Sequence, residues 1–233
     1  MTFEKPLIPG ILVKRYKRFI SDIKLESGET ISAHCPNPGS MKSCSTPGWC
    51  VMVSESDNPR RKFKYTWEMV HNNKCWIGIN TMIANSLVEE ALNNKLLSEL
   101  TGYNEIYREV NYGKNSRIDF LLKNNKQNCF VEVKNVSLVE DDGFYYFPDS
   151  VTIRGRKHLH ELINMVKAGY RAVMLFIIQR NDGTVFKPAG HIDPDYFQSL
   201  EKAYKSGVEI ISYQADVTPE QINIGKKIEW VFY

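Results

Sequence analysis

Three residues in one short stretch of the chain, Asp119, Glu132 and Lys134, have the types and spacing of a cation site. They lie in two apolar runs joined by a polar segment, KNNKQN, a pattern that predicts two antiparallel strands and a turn. If Asn125 and Lys126 form the turn, Asp119 lies directly opposite Glu132. Because side chains alternate along a strand, Glu132 and Lys134 then share one face of the sheet.

Two carboxylates that face each other in a sheet repel unless a positive charge lies between them. Mg²⁺ binds through one or two carboxylates, and waters and substrate phosphate oxygens complete its shell. Lys134 would orient an attacking water or stabilise developing negative charge. We therefore predict a Mg²⁺ or Mn²⁺ site with Asp119 and Glu132 as ligands, although Val-Glu-Val-Lys also fits a half-exposed strand.

The surrounding pattern predicts an α/β domain with a mixed central sheet. Apolar residues recur at helical spacing in two segments, and residues 171–179 are apolar on both faces, as in a central strand. In chain order the predicted elements are a helix at 84–100, strands at 106–111, 116–122 and 128–136, a helix at 155–167, a strand at 171–179, a helix at 194–204 and strands at 208–213 and 228–232. This order, with Asp and Glu-x-Lys on consecutive strands, resembles the PD-(D/E)XK nuclease fold.

Resemblance to that fold implies two further candidates for the catalytic site. Many members place an acidic residue on the first helix, where this chain has Glu89, with Asn85 one turn earlier on the same side. The neighbouring Glu90 leaves this assignment open, as does the usual solvation of helix carboxylates. Gln179 ends the central strand near the edge where sheets of this type open their sites, so it is a candidate partner of the catalytic residues.

The first part of the chain predicts a small β barrel. Short β-rich runs separated by Gly, Pro and Asn occupy residues 11–25, 31–35, 50–56, 62–70 and 75–80. Five short strands without an intervening helix fit an oligonucleotide/oligosaccharide-binding (OB) barrel, and SH3-like barrels remain an alternative. We predict an OB-like domain over residues 1–80 and a nuclease-like domain over residues 81–233.

Two runs in the barrel interleave cations with aromatic rings, a composition suited to phosphates and bases. A charged edge strand would have the same composition. Residues 1–80 hold 12 Lys and Arg against 7 Asp and Glu, whereas residues 81–233 hold 18 against 20, which also favours a polyanionic partner for the barrel. The predicted nucleic-acid contacts in these runs are Lys14, Arg15, Tyr16, Lys17, Arg18, Arg60, Arg61 and Lys62.

The start of the second helix is a further predicted nucleic-acid contact. Ser150 or Thr152 is the candidate N-cap, and free backbone N–H groups at such a position bind phosphate. Arg154, Lys157 and His158 follow at once, although the helix dipole disfavours cations there unless an anion is bound. A structural role explains His158 equally well.

The composition is that of an ordinary soluble protein, with 42% hydrophobic residues, 24% charged residues and a net charge of +3. The longest apolar run, at residues 172–178, falls short of the roughly 20 residues that a membrane-spanning helix needs. The N-terminus lacks the pattern of a secretory signal. Five cysteines without a repeating interval indicate reduced thiols. We expect a cytoplasmic protein with no membrane partner.

Motifs along nearly the whole chain resemble the sugar fermentation stimulation protein family. They are GILVKRYKRF from Gly10, HCPNPGSM from His34, NPRRKF from Asn58, INT from Ile79, RIDF from Arg117, VEVKNV from Val131 and FPDSVTIRGRKHL from Phe147. The resemblance implies a prokaryotic DNA-binding protein, linked to regulation of sugar use, with an OB-like domain and a nuclease-fold domain. The HCPNPGSM segment has no chemistry that its spacing predicts, and a turn rich in Pro and Gly accounts for it.

Three functions are compatible with these features. The first is a divalent-metal-dependent nuclease in which the barrel holds DNA and the Asp119 site hydrolyses it. The second is a DNA-binding regulator of sugar-utilisation genes whose nuclease fold no longer cleaves, and the third is an OB-type carbohydrate-binding protein. The presence of Asp119, Glu132 and Lys134 together favours the first, although a fold alone does not establish catalysis.

Overall fold

The fold is described by a computed structural model for residues 1–113 and 116–233. The first domain consists of β1 (Ile8–Tyr16), β2 (Ile20–Leu25), β3 (Thr30–His34), β4 (Cys50–Glu55), β5 (Tyr65–His71) and β6 (Trp76–Gly78). Strands pair in the order β3-β2-β1-β4-β5-β6, and a parallel pairing of β3 with β5 closes the first five strands into a barrel. The predicted five-stranded barrel is confirmed.

The barrel encloses a core of apolar side chains that alternate with more exposed residues along each strand. Along β4, for example, Val51 and Val53 are buried and their neighbours are half-buried or exposed. Trp67 of β5 is fully buried, and its indole N–H donates to the carbonyl of Met69 at 3.0 Å. Burial of these side chains removes them from water and supplies the main favourable term for folding of the barrel.

The second domain contains a long sheet with helices on both faces. Its elements are α1 (Ile83–Asn93), a 3₁₀ turn (Ser98–Leu100), β7 (Glu105–Tyr112), β8 (Ser116–Lys123), β9 (Asn128–Val136), β10 (Leu138–Val139), β11 (Tyr145–Phe147), α2 (Ile153–Lys167), β12 (Arg171–Ile178), β13 (Phe186–Pro188), α3 (Pro194–Lys205), β14 (Glu209–Val217) and β15 (Ile222–Lys227). The sheet order is β15-β14-β12-β9-β8-β7. Because β12 runs parallel to both β9 and β14 while the outer pairs are antiparallel, the predicted mixed sheet is confirmed.

Helix α1 covers one face of this sheet, and α2 and α3 cover the other. Leu87 and Val88 of α1 belong to a buried cluster with Val131 and Val133 of β9. Leu159 and Leu162 of α2 belong to a second cluster on the opposite face. Strand β12 lies between the two clusters and is buried along almost its whole length, as its apolar sequence predicts.

Two local predictions are wrong, and one small sheet was not predicted. Helix α1 ends at Asn93 rather than at residue 100, because Lys95 adopts a positive φ of 57° and turns the chain back, with the Leu96 N–H donating to the Ala91 carbonyl. The last strand of the sheet is β15, whereas residues 228–232 lie beside β13 through a bridge between Trp230 and Phe186. The small sheet of β10, β11 and β13 was not predicted.

Buried polar groups join the two domains. The backbone N–H of Gly78, at the end of β6, donates to the carbonyl of Gln179 at 2.8 Å. Asn80 donates to the Glu68 carboxylate at 2.8 Å, and the Gln179 side chain donates to the Asn80 carbonyl at 3.3 Å and to Asn135 at 2.5 Å. The barrel therefore contacts the end of β12 and, through Gln179, strand β9.

Within the described part of the chain, no helix has both the length and the apolar character needed to cross a membrane.

Candidate functional site

The hairpin of β8 and β9 has the register predicted from its sequence. Phe120 pairs with Val131 and Lys123 pairs with Asn128, so Asp119 and Glu132 occupy the next positions along the two strands. The turn differs from the expectation, because it contains the four residues 124–127 rather than two. The Asn124 side chain stabilises this turn by accepting the backbone N–H groups of Lys126 and Gln127, each at 2.8 Å.

Glu132 is the buried centre of the site, with a side chain that is only 2% exposed. Its Oε1 accepts from the Lys134 ammonium at 2.5 Å and also contacts Nδ1 of His158 on α2. Burial opposes ionisation of Glu132, but the Lys134 charge and the His158 hydrogen bond outweigh burial and hold the pKa of this carboxyl below its ordinary value. Glu132 is therefore an anion held inside the protein.

The hydrogen-bond arrangement of His158 follows from its second contact. Arg154 Nε, which can only donate, lies 3.3 Å from His158 Nε2. Nε2 therefore accepts from Arg154, and Nδ1 donates to Glu132. Through this bond His158 positions the Glu132 carboxylate.

Asp119 lies on the neighbouring strand with both carboxylate oxygens engaged by neutral donors. Oδ1 accepts from the side-chain amide of Asn85 on α1 at 2.9 Å, and Oδ2 accepts from the backbone N–H of Val133 at 2.7 Å. Burial and the charge of Glu132 raise the pKa of Asp119, against the opposing effect of Lys134. The free energy of the ionised pair would therefore fall if a further positive charge were added.

The donor set fits a divalent metal ion of the Mg²⁺ type. Among the residues that the structure describes, Oε2 of Glu132 has no hydrogen-bond partner although it is buried. Carboxylate oxygens are the ligands that Mg²⁺ prefers, and one or two of them are sufficient for it. The described residues contain no group of three or more His, Cys, Asp or Glu arranged to hold a metal. Asp119 and Glu132 would therefore hold an ion that completes its shell with water and substrate.

The site lies in a cleft of about 790 Å³ between the two domains. The second domain contributes the residues described above, Asp119, Glu132, Lys134, Arg154 and His158. The barrel contributes Arg18 and the loop that follows β3. Clefts of this volume at a domain junction are common places for ligand binding.

Two predicted catalytic residues lie outside this cleft lining. Glu89 forms an ion pair with Arg108 at 2.6 Å on the outer surface of α1, and Asn85 is the α1 residue that contacts Asp119. Gln179 is fully buried at the domain junction, where it bonds to Asn135 beside Lys134. Gln179 therefore reaches the site through Asn135, and among the described residues Glu89 pairs with Arg108 rather than lying with the carboxylates on the cleft lining.

The residues of the first basic run of the barrel, positions 14–18, have different roles. Lys14 pairs with Asp22 at 3.5 Å and covers the ring of Tyr16, whose hydroxyl donates to the same carboxylate at 3.1 Å. Arg15 is turned inward, where it donates to backbone carbonyls of the loop after β3. Lys17 is exposed, and Arg18 lines the cleft. Arg15 is therefore a structural residue in this arrangement.

The second basic run and the start of α2 also differ in position. Arg60 and Lys62 are exposed on the loop between β4 and β5, and Arg61 donates to Thr66 at 2.9 Å.

At α2, the N-cap is Thr152, whose hydroxyl accepts from Gly155 N–H at 3.0 Å. Arg154 lines the cleft, whereas Lys157 is exposed on the helix surface outside the described lining.

Sequence analysis missed two tyrosines that border the site. The hydroxyls of Tyr112 and Tyr196 are buried without a hydrogen-bond partner among the described residues. Burial and the charge of Glu132 raise the pKa of both phenols, so both remain protonated donors near the carboxylate. No sequence signal marks them, because they are brought to Glu132 by β7 and α3.

The fold and the site together define a two-domain protein that joins an OB barrel to an α/β domain with a mixed central sheet. Residues 13–79 match the model of the SfsA N-terminal OB domain, and residues 82–221 match that of the sugar fermentation stimulation protein RE domain. The chain therefore belongs to the sugar fermentation stimulation protein family.

Relatives of similar length support this assignment. A sugar fermentation stimulation protein homolog of Geotalea uraniireducens is 56% identical over 223 residues, which are 96% of each chain. The homolog of Geobacter sulfurreducens is 49% identical over 228 residues, 98% of this chain and 97% of its own. The solved structure of Pyrococcus furiosus SfsA in complex with Ca²⁺ has a TM-score of 0.90 and 26% identity, covering 100% of this chain and 98% of that one.

Proposed function

We propose that this protein is a divalent-metal-dependent nuclease that hydrolyses phosphodiester bonds of DNA. The observation that carries the proposal is the buried carboxylate of Glu132 and the half-buried carboxylate of Asp119, beside Lys134 in a cleft between the two domains. The basic residues Arg18 and Arg154 line the same cleft, which suits a polyanion. The archaeal relative was solved with Ca²⁺, another divalent ion that binds oxygen ligands.

Each site residue has a definite task in such a reaction. Asp119 and Glu132 would hold the ion, and a bound ion would polarise the phosphoryl group and lower the pKa of a coordinated water. Asn85 and Val133 N–H fix the carboxylate of Asp119, and His158 fixes that of Glu132. Lys134 would then be released from part of its contact with Glu132 and would stabilise negative charge that develops on the phosphate.

The test is cleavage of end-labelled single-stranded and duplex DNA in Mg²⁺ or Mn²⁺. We expect cleavage that EDTA abolishes and that falls at least about 10²-fold in Asp119→Asn and in Glu132→Gln. Glu89→Gln is the matched control, because Glu89 is also acidic and lies on α1 but pairs with Arg108 outside the described cleft lining. Undiminished cleavage in both site variants would refute this assignment of the site.

One observation favours a second function, a DNA-binding regulator that does not cleave. Lys134 and His158 already contact one oxygen of Glu132, so much of its charge is compensated by the protein itself. A wild-type protein that binds DNA with steep salt dependence, but cleaves neither DNA nor RNA in Mg²⁺ or Mn²⁺, would establish this second function instead.

A further inference from the structure

We infer that the barrel side of the cleft contains a phosphate-binding subsite, formed by Arg18 and Asn37, for an unpaired nucleic-acid strand. The inference rests on the proposed function, because the strand is the one whose scissile phosphodiester lies at Asp119 and Glu132. The ligand is a second phosphate group of that strand. The subsite gives a role to the HCPNPGSM motif, which contains Asn37.

The loop that carries Asn37 is held in a fixed position. Arg15 donates to the backbone carbonyls of Asn37 and Gly39, each at 2.9 Å, and to that of Ser40 at 3.2 Å. The carbonyl of Pro36 accepts from the Thr81 hydroxyl at 2.8 Å, which ties the loop to the second domain. Because Arg15 engages three carbonyl oxygens, these acceptors are not available to repel a phosphate in the cleft.

Asn37 presents an unused donor at the cleft wall. The residue is only 3% exposed, it lines the cleft, and its Oδ1 accepts from the Gly39 N–H at 2.9 Å. This bond fixes the orientation of the amide, since a backbone N–H requires an acceptor. Nδ2 is then a buried donor without a partner among residues 1–113 and 116–233. A buried donor is unfavourable unless it finds an acceptor, and a phosphate oxygen would be one.

Arg18 supplies the positive charge of the subsite. It lies in the turn between β1 and β2, where both Lys17 and Arg18 have positive φ values, 47° and 65°. Residues other than glycine rarely adopt a positive φ, and strained backbone positions of this kind cluster at functional sites. The exposed Arg18 side chain lines the same cleft as Asn37.

Asp149 is a negative group beside this loop, and its carboxylate is engaged in holding the loop. Its Oδ2 accepts from the Met41 N–H at 3.2 Å, and a Cβ added at Gly39 would overlap its carboxyl group. Arg18 and Arg154 lie on the cleft lining with it, so the lining retains cations for a phosphate.

The depth of the cleft favours an unpaired strand. The Glu132 side chain is 2% exposed, so a phosphodiester must enter the cleft to reach it. A duplex carries its phosphates on a convex surface with the bases paired inside, and it cannot follow one strand into a cleft of about 790 Å³. Two exposed apolar side chains in the cleft lining, Met82 and Val151, would contact unstacked bases.

The test measures binding of labelled single-stranded oligonucleotides by fluorescence anisotropy in EDTA, where no cleavage occurs. We expect Arg18→Ala to weaken binding roughly 10-fold and to lower the salt slope by about 0.7, the loss of one phosphate contact. Asn37→Asp keeps the acceptor for Gly39 N–H but places a carboxylate toward the phosphate, so it should weaken binding at least as much. Lys24→Ala is the control, since Lys24 is an exposed cation on β2 of the barrel and lies outside the described lining.

Neutral methylphosphonate linkages, introduced one at a time, locate the phosphate. Wild-type protein should bind more weakly when the neutral linkage lies at one particular position of the strand, at a constant distance from the cleavage position. A neutral linkage at that position should not change the affinity of Arg18→Ala. An Arg18→Ala effect no larger than that of Lys24→Ala, an unchanged methylphosphonate profile, or tighter binding of duplex than of single strand would overturn the inference. DNA and RNA strands of one sequence identify the natural polymer, and tighter binding of either single strand supports the subsite.

The two proposals fail separately. A wild-type protein that does not cleave, but senses one phosphate through Arg18, would overturn the proposed function and support the subsite. Cleavage that requires Asp119 but is accompanied by unchanged binding in Arg18→Ala would overturn the subsite and support the proposed function.

Discussion

At the residue scale, the site depends on the unequal environments of the two oxygens of Glu132. Oε1 contacts the Lys134 ammonium and the His158 ring, while Oε2 is buried and has no partner within the described chain. Desolvation alone would raise the pKa of such a carboxyl, but its two partners lower it. Glu132 thus presents an ionised oxygen, unpaired among the described residues, beside a second carboxylate, Asp119, which is the environment that a divalent cation stabilises.

Replacement of Lys134 should lower the rate of cleavage without lowering the affinity for DNA. Lys134→Met should lower the rate of cleavage by about 10²–10³-fold, because it removes a charge that stabilises the transition state, while oligonucleotide affinity changes little. Single-turnover rates and anisotropy titrations on the same substrate measure the two effects. Lys126→Met, at the exposed turn between β8 and β9, is the matched control. Equal rates in the two variants would exclude a catalytic role for Lys134.

The sequence predicted the residues that lie on one hairpin but not those that reach it from elsewhere. Alternation and register place Asp119, Glu132 and Lys134 from local pattern alone. The contact of His158 with Glu132 requires α2 to pack on the sheet, so no spacing in the sequence encodes it. Arg15 shows the same limit, because its carbonyl partners come from a loop more than twenty positions away.

At the element scale, β9 and α1 determine where the carboxylates lie. Strand β9 pairs with β12 over all but its first residue and with β8 in its first half, so the segment that leads to Glu132 is fixed from both sides. Helix α1 packs through Leu87 and Val88 on the face of the sheet opposite to α2, and it brings Asn85 to Asp119. Long, strongly patterned elements of this kind were predictable, whereas short strands such as β13 depend on tertiary pairing.

Leu87 provides a test of the packing of α1 on the sheet. Leu87→Ala should lower the free energy of unfolding by about 2–5 kcal/mol, since it leaves a cavity beneath the helix that the sheet cannot fill. Leu96→Ala makes the same chemical change at a side chain that is 54% exposed and should cost far less. Urea denaturation measures both, and equal losses would contradict the assigned packing.

At the scale of the whole molecule, the cleft exists because the two domains are joined by buried polar contacts. Glu68 of the barrel accepts from Ser54 at 2.5 Å and from Asn80 at 2.8 Å, and Asn80 in turn accepts from Gln179 of the second domain. Arg180, which is fully buried, donates to the Ser137 carbonyl at 2.6 Å and to Ser43 at 2.9 Å. Sequence pattern cannot predict such contacts, because they join distant segments through single polar atoms.

Glu68 makes the stability of this junction depend on pH. Burial raises the pKa of its carboxyl above the ordinary value of 4.5, although Ser54 and Asn80 partly oppose this. Because the pKa of Glu68 is higher in the folded state than in the unfolded state, ionisation of Glu68 lowers the free energy of unfolding. This loss develops as pH rises through the folded-state pKa. Glu68→Gln should therefore be more stable than wild type at pH 7, and the difference should close below about pH 4.5.

Urea denaturation at pH 7 and pH 4 measures this difference. Exposed Glu26→Gln is the control and should change the free energy of unfolding by less than about 0.5 kcal/mol at either pH. A Glu68→Gln variant that is less stable than wild type at pH 7 would show that the ionised carboxylate stabilises the junction.

Asp119 and Glu132 are proposed to hold one divalent ion in the cleft. Mn²⁺ binding measured by electron paramagnetic resonance tests this claim most directly, because free Mn²⁺ has a strong signal that decreases as the ion binds. Wild-type protein and Glu89→Gln should each bind one Mn²⁺ in this site, and Asp119→Asn and Glu132→Gln should each lose it. Unchanged Mn²⁺ binding in both site variants, or no binding by the wild type, would contradict the claim.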